Sequence, residues 1–102
     1  MIMLNTNQLC GIILNIKYGT NNQTAYLDFV LKIRRDESEI YDLLDCSVYG
    51  KKAERLYKEA KEGDIVIVTG EYRSSKIIAN GKLQERYSHF LINKYKILKE
   101  KN

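Results

Sequence analysis

Between Thr24 and Arg35 the chain alternates. Leu27, Phe29, Leu31 and Ile33 are apolar, and Tyr26, Asp28, Val30, Lys32 and Arg34 stand between them. A period of two predicts a strand with one face in a core and the other open to solvent or a ligand. An earlier β-branched run, Leu9 to Lys17, predicts a first strand, with Gly11 marking a bulge or bend of the kind small closed barrels need. The polar stretch Tyr18 to Gln23 reads as a loop, and Arg35 to Glu39 as a charged turn. Asp42 to Tyr49 is a third strand, ended by Gly50. The period then changes. Ala53, Leu56, Tyr57 and Ala60 fall three and four apart over Lys51 to Lys61, which predicts a helix with one apolar face. Glu62 and Gly63 stop it. Ile65 to Thr69 is a fourth strand, and Arg73 to Glu85 a long hairpin with its tip at Asn80-Gly81, a strong tight-turn pair. Arg86 to Lys96 is the last strand.

Three strands, one helix and two strands is the chain order of an OB-fold. The expected class is all-β with one helix: a five-stranded Greek-key barrel, the helix lying between strands 3 and 4 and plugging one end. A ferredoxin-like fold would need a second helix. No linker, repeat or low-complexity tract interrupts the sequence, so residues 1–102 are expected to form a single domain, with 1–6 and 99–102 as loose ends. Two strands are apolar on both faces: Ile65 and Ile67 oppose Val66 and Val68, and Leu91 lies between Phe90 and Ile92. A second buried face in so small a domain predicts a homo-oligomer, a dimer or tetramer.

Composition narrows the chemistry. The formal net charge is +4, which suits a polyanionic partner, and the aromatics are 8 Tyr and 2 Phe with no Trp. Cys10 and Cys46 have no zinc-type spacing and read as small buried hydrophobes in a reducing cytosol. His89 is the single histidine. The carboxylates Asp28, Asp42, Asp45, Asp64 and Glu71 are scattered, without metal-ligand or acid/base spacing, and neither a phosphate loop nor a nucleophile motif is present. The expectation is a protein that is not an enzyme and takes no metal or other cofactor. The opening Met1-Ile2-Met3-Leu4 is too short for a signal-peptide core, and no apolar run reaches membrane-spanning length. A cytoplasmic protein with no membrane partner is expected.

Three ordered blocks carry a family resemblance. Ser47-Val48-Tyr49-Gly50-Lys51-Lys52-Ala53-Glu54, then Lys61-Glu62-Gly63-Asp64, then Val66 to Arg73 (VIVTGEYR) resemble the bacterial single-stranded DNA-binding protein (SSB) family. Leu9-Cys10-Gly11 resembles that family's first strand, Phe29-Val30-Leu31 its second, and Gly81 with Arg86-Tyr87 its fourth-to-fifth-strand hairpin. The resemblance implies binding of single-stranded DNA, largely independent of sequence, to protect or organise it in replication, recombination or transfer. Two features depart from the family. Its stacking tryptophans are replaced, with Leu43 and Ile77 at matching places, and its long tail with an acidic tip has no counterpart in a chain ending Lys99-Glu100-Lys101-Asn102. A short, mobile-element or phage-like member is therefore expected. The alternative is an accessory subunit of a primase, helicase or polymerase, with weak or no DNA binding of its own. A replication protein is then a second partner, and RNA a further candidate ligand.

Holding single strands requires cations for phosphates and flat side chains for bases. Tyr49 matches the family's aromatic before Gly-Lys. If Leu44, Cys46 and Val48 point inward, Tyr41, Leu43, Ser47 and Tyr49 point outward. Lys32 and Arg34 share the outer face of the second strand, with Arg35 at its end. Lys51, beside Lys52, opposes the helix macrodipole, a conflict a phosphate would relieve. Tyr72, Arg73, Lys76, Lys82, Arg86 and Tyr87 make a basic and aromatic arm. The candidate DNA contacts are Lys32, Arg34, Arg35, Tyr49, Lys51, Tyr72, Arg73, Lys76, Arg86 and Tyr87. Tyr57 is assigned to core packing, and Lys94, Lys96, Lys99 and Lys101 to solvated surface.

Overall fold

The structure is a computed structural model that describes residues 4–85 and 87–98. Strand β1 (Asn7–Asn21) turns directly into β2 (Thr24–Arg34). Asn22 and Gln23 form the turn with φ of 50° and 68°, the left-handed geometry that a two-residue hairpin requires. Tyr18 to Asn21, expected as loop, therefore continue β1, with Asn21 paired to Thr24. There follow β3 (Tyr41–Tyr49), α1 (Lys51–Glu59), β4 (Ile65–Arg73), β5 (Lys76–Ala79), β6 (Lys82–Glu85) and β7 (His89–Leu98). Five strands close into a barrel in the order β1-β2-β3-β7-β4, and β5 and β6 form a separate two-stranded arm. This is the expected Greek-key barrel, with the helix between its third and fourth strands. The arm turns at Asn80-Gly81, both at positive φ, as their pairing predicts.

The core is built by the inward half of each alternating strand. Ile13, Leu27, Leu31, Val48, Val66, Val68 and Phe90 are buried, and α1 closes one end of the barrel with Ala53, Leu56 and Ala60. The helix starts at Gly50, whose φ of 73° favours glycine and whose N–H donates to the Ala25 carbonyl. Tyr57 departs from the expectation of core packing. It is 51% exposed, and its ring stacks on Tyr18 at 4.3 Å between centroids. Cys46 is buried as expected, and burial pushes its thiol up to about 12. Cys10 is exposed on β1, against the expectation for both cysteines.

Gly11 does not mark the bulge. The register of β1 against β2 shifts instead between Leu14 and Lys17, with Asn15 at φ 54°. The Ile16 N–H donates to the Glu62 carboxylate at 3.1 Å. Gly11 is a point of close approach, where a Cβ would lie 2.5 Å from the Lys32 carbonyl oxygen. Gly70 is tighter still. A Cβ there would lie 1.9 Å from the Leu91 carbonyl oxygen, at the place where β4 shifts register against β7. Since backbone cannot yield as a side-chain tip can, Gly70→Ala should destabilise the fold by about 3 kcal/mol, the upper part of the overpacking range. Thermal unfolding followed by circular dichroism would measure it, and an unchanged midpoint would contradict this account of the β4–β7 seam.

Candidate nucleic-acid interface

The outer face of β2 and β3 is a ladder of directly opposed residues: Tyr26 with Tyr49, Asp28 with Ser47, Val30 with Asp45, Lys32 with Leu43, and Arg34 with Tyr41. Strand β7 joins β3 in parallel through Cys46 to Phe90 and Ser47 to Leu91. That pairing covers Ser47, which was expected to face outward freely and is only 9% exposed. Its hydroxyl donates to Asp28 Oδ1 at 2.9 Å. Just before β7, the Tyr87 hydroxyl donates to Asp45 Oδ2, and this bond raises the phenol's pKa above its ordinary value. His89 follows, with Nδ1 3.3 Å from the Tyr87 carbonyl oxygen.

Four hollows share walls across this surface. The first, about 620 Å³, is lined by Lys17, Asp28, Asp45, Tyr49, Tyr87 and His89, among others. A second, about 520 Å³, shares Asp28 and Tyr49 with it and reaches Thr20, Thr24 and Tyr26. A third, about 370 Å³, joins Tyr49 to Lys51, Lys52 and Leu91. A fourth, about 340 Å³, shares Asp45 and His89 with the first and runs to Leu43, Tyr72 and Arg73. Tyr49 walls three of the four and is half exposed, at 50%. Tyr72 sits edge-on against the buried Phe90, with ring centroids 5.0 Å apart.

The residues singled out from the sequence therefore separate. Tyr49, Lys51, Tyr72, Arg73 and Tyr87 converge on these hollows. Lys32 lies toward the other end of the ladder, its Nζ 4.3 Å above the Tyr41 ring. Arg34 donates to the Ser38 and Glu37 carbonyls at 2.7 and 2.9 Å, tying down the β2–β3 turn. Arg35 forms a two-bond fork with Asp42 at 2.9 and 2.7 Å, and this holds the Asp42 carboxyl below the usual carboxylate range. Arg73 pairs with Glu71 at 2.5 Å. Lys76 stands on the β5–β6 arm opposite Glu85. Lys52 is tied to the Asn93 carbonyl at 2.6 Å. Arg86 lies outside the described residues, as do Lys99 and Lys101.

Lys17, Tyr26, Asp28, Asp45 and His89 line the hollows without having been singled out. Tyr26 and Asp28 could have been, because they share the outer period of Lys32. Asp45 shares the period of Tyr49. Lys17 could not, since the bulge at Asn15 reverses the facing of everything after it. Among the described residues no three of His, Cys, Asp and Glu are placed to hold a metal, and no helix is long and apolar enough to cross a membrane.

A closed five-stranded barrel with an aromatic groove across its second and third strands defines an oligonucleotide-binding fold. Residues 4–97 match the model of the single-strand binding protein family, and the chain belongs to that family. Members of that family bind single-stranded DNA and are not enzymes. Among solved structures, the chain is similar to the SSB domain of a protein from Synechococcus sp., with a TM-score of 0.69 and 17% identity over 93% of this chain and 97% of that one. It is also similar to the N-terminal domain of PriB protein from Thermoanaerobacter tencongensis, whose structure is dimeric, with a TM-score of 0.68 and 22% identity over 94% and 98%. At these identities the likeness is one of fold. No individually curated protein matches.

The geometry sorts the cations by availability. Lys17→Ala and Lys51→Ala should each flatten the plot of log affinity for single-stranded DNA against log salt by about 0.7. Arg35→Ala should leave the slope nearly unchanged, because that guanidinium already holds a carboxylate. Titrations at several salt concentrations would measure all three, and a larger loss of slope at Arg35 would reverse the assignment.

Proposed function

We propose that this chain binds single-stranded DNA with little preference for sequence, works as a homo-oligomer, and protects or organises the strand in replication, recombination or transfer. The observation that carries the reading is the position of Tyr49 as the common wall of three adjoining hollows. A base entering any of them meets its ring. Tyr72 on β4 and Tyr87 just before β7 continue the platform, while Lys51 flanks it for phosphates and Arg73, already paired with Glu71, contributes less. Lys32 and Lys76 extend the cationic track at its two ends. Arg34 and Arg35 serve chiefly to hold the turn on which Tyr41 is presented.

Base–aromatic stacking is worth ~1–3 kcal/mol per base. Tyr49→Ala should therefore weaken binding of a mixed-sequence strand by roughly 5- to 150-fold. The ring is half exposed, so the unfolding midpoint should stay close to the parent's. Fluorescence polarisation with single-stranded DNA, RNA and duplex at two salt concentrations tests the reading. Absence of salt-sensitive binding to the single strand would end it.

The oligomer rests on an outward strip across β1, β4 and β7. Ile65 is exposed and pairs with Ile12 on one side and Leu98 on the other; Ile67 pairs with Cys10 and Lys96. This is the second apolar face expected of β4. For β7 the corresponding residue, Leu91, opens into the groove instead. The dimeric structure of the PriB neighbour supports a second copy, for which this apolar strip is the face we propose. Ile67→Lys should shift the particle toward monomer in multi-angle light scattering while the circular dichroism spectrum is retained. A parent protein that is monomeric at micromolar concentration would refute the interface.

A further inference from the structure

We infer that Asp28 and Asp45 make the groove favour bases bearing an exocyclic amino group over thymine. The inference rests on the proposed binding of single strands and specifies what the groove reads. Asp28 stands opposite Ser47 on β2, and Asp45 two residues before Ser47 on β3, so the two carboxylates are diagonal neighbours on the outer face. Both line the first of the four hollows, together with Tyr49 and Tyr87. Each is anchored through one oxygen. Ser47 donates to Asp28 Oδ1, and the Tyr87 hydroxyl to Asp45 Oδ2. The other oxygen of each accepts no hydrogen bond among the described residues, and neither carboxylate is ion-paired there.

Two negative charges lining the hollow repel phosphates, so the backbone is drawn instead to the cations beside them, Lys17 directly opposite Asp28 on β1 and Lys51 beyond Tyr49. Bases then point toward the hollow. A base between Tyr49 and Tyr87 presents its edge to open carboxylate oxygens, which can only accept. Cytosine N4 is a donor suited to an Asp acceptor, and adenine N6 is another. Thymine offers one N–H between two carbonyl oxygens, and those oxygens repel a carboxylate. A plain alternative is that the carboxylates are solvated and only weaken binding of every strand alike.

The experiment compares oligo-dC with oligo-dT of one length by fluorescence polarisation at pH 8, where cytosine stays unprotonated. The proteins are the parent chain, Asp28→Asn, Asp45→Asn and the double variant, each checked for an unchanged unfolding midpoint. Asparagine keeps an acceptor oxygen for Ser47 or Tyr87 but removes the charge and adds a donor. The parent should bind dC about 10-fold more tightly than dT. Either substitution should bring the ratio toward one, mainly by improving dT. Equal affinity for dC and dT in the parent would overturn the inference while leaving single-strand binding intact. A preference that survives in the double variant would also overturn it, as would uniformly tighter binding with an unchanged ratio. Failure of the parent to bind either oligonucleotide would instead overturn the proposed function.

Discussion

The parallel pairing of β7 with β3 is the constraint on which the rest depends. It spans two residue pairs, Cys46 with Phe90 and Ser47 with Leu91. Without it the antiparallel sequence β3-β2-β1-β4-β7 would be an open sheet with two unpaired edges; with it the sheet has none. So short a ladder supplies few hydrogen bonds, and the seam is held mainly by what it buries. Phe90 is the largest fully buried side chain, and taking such a ring out of water is worth roughly 1.5–3 kcal/mol. Alternation along β7 then sets what faces outward beside β3. If Phe90 is inside, His89 and Leu91 must open onto the outer face. The segment leading into β7 carries Tyr87 to Asp45, and Tyr72 rests its edge on the same Phe90. Barrel closure and groove formation are one event.

How much of this was legible follows from which signals are local. The alternation of β2, the change of period into α1 and the Asn80-Gly81 turn are written in consecutive residues, and the order of elements gave the barrel. The bulge at Asn15 is not local. A positive φ in an asparagine is tolerated there while Glu62, far along the chain, accepts the Ile16 N–H. Everything on β1 beyond it changes facing, which is why Lys17 reaches the groove unannounced. Tyr57 failed for a related reason. Helical spacing puts it next to Leu56, but a helix that plugs a barrel buries only a narrow stripe, and the extended β1 supplies Tyr18 as a partner outside the core.

The candidate site was half legible. Tyr49 stands out by the family resemblance and the period of β3, Lys51, Tyr72, Arg73 and Tyr87 by residue type and place, and closure gathers them. Arg34 and Arg35 were picked out for their charge, yet their nearest acceptors are the Glu37 and Ser38 carbonyls and Asp42, all within eight residues. Short-range partners in a turn outcompete a distant ligand for a guanidinium, because the chain has already brought them into place. Charge counted along a sequence overstates the charge offered to a ligand by this amount.

That correction bears on how the groove can work. A net charge of +4 does not make a positive trough, since two arginines are engaged at the β2–β3 turn and two carboxylates lie mid-groove. Stacking must then carry a larger share of affinity than in a groove lined with free cations, and it must do so without tryptophan. Several tyrosines in series offset the smaller area of each. Tyrosine also brings a hydroxyl that tethers the ring. Tyr87 is held through its hydroxyl by Asp45, so it has less rotamer freedom to lose when a base arrives. In the proposed mode of binding, the carboxylate that weakens phosphate attraction also holds the ring beside it, so one residue both turns bases toward the hollow and readies their platform.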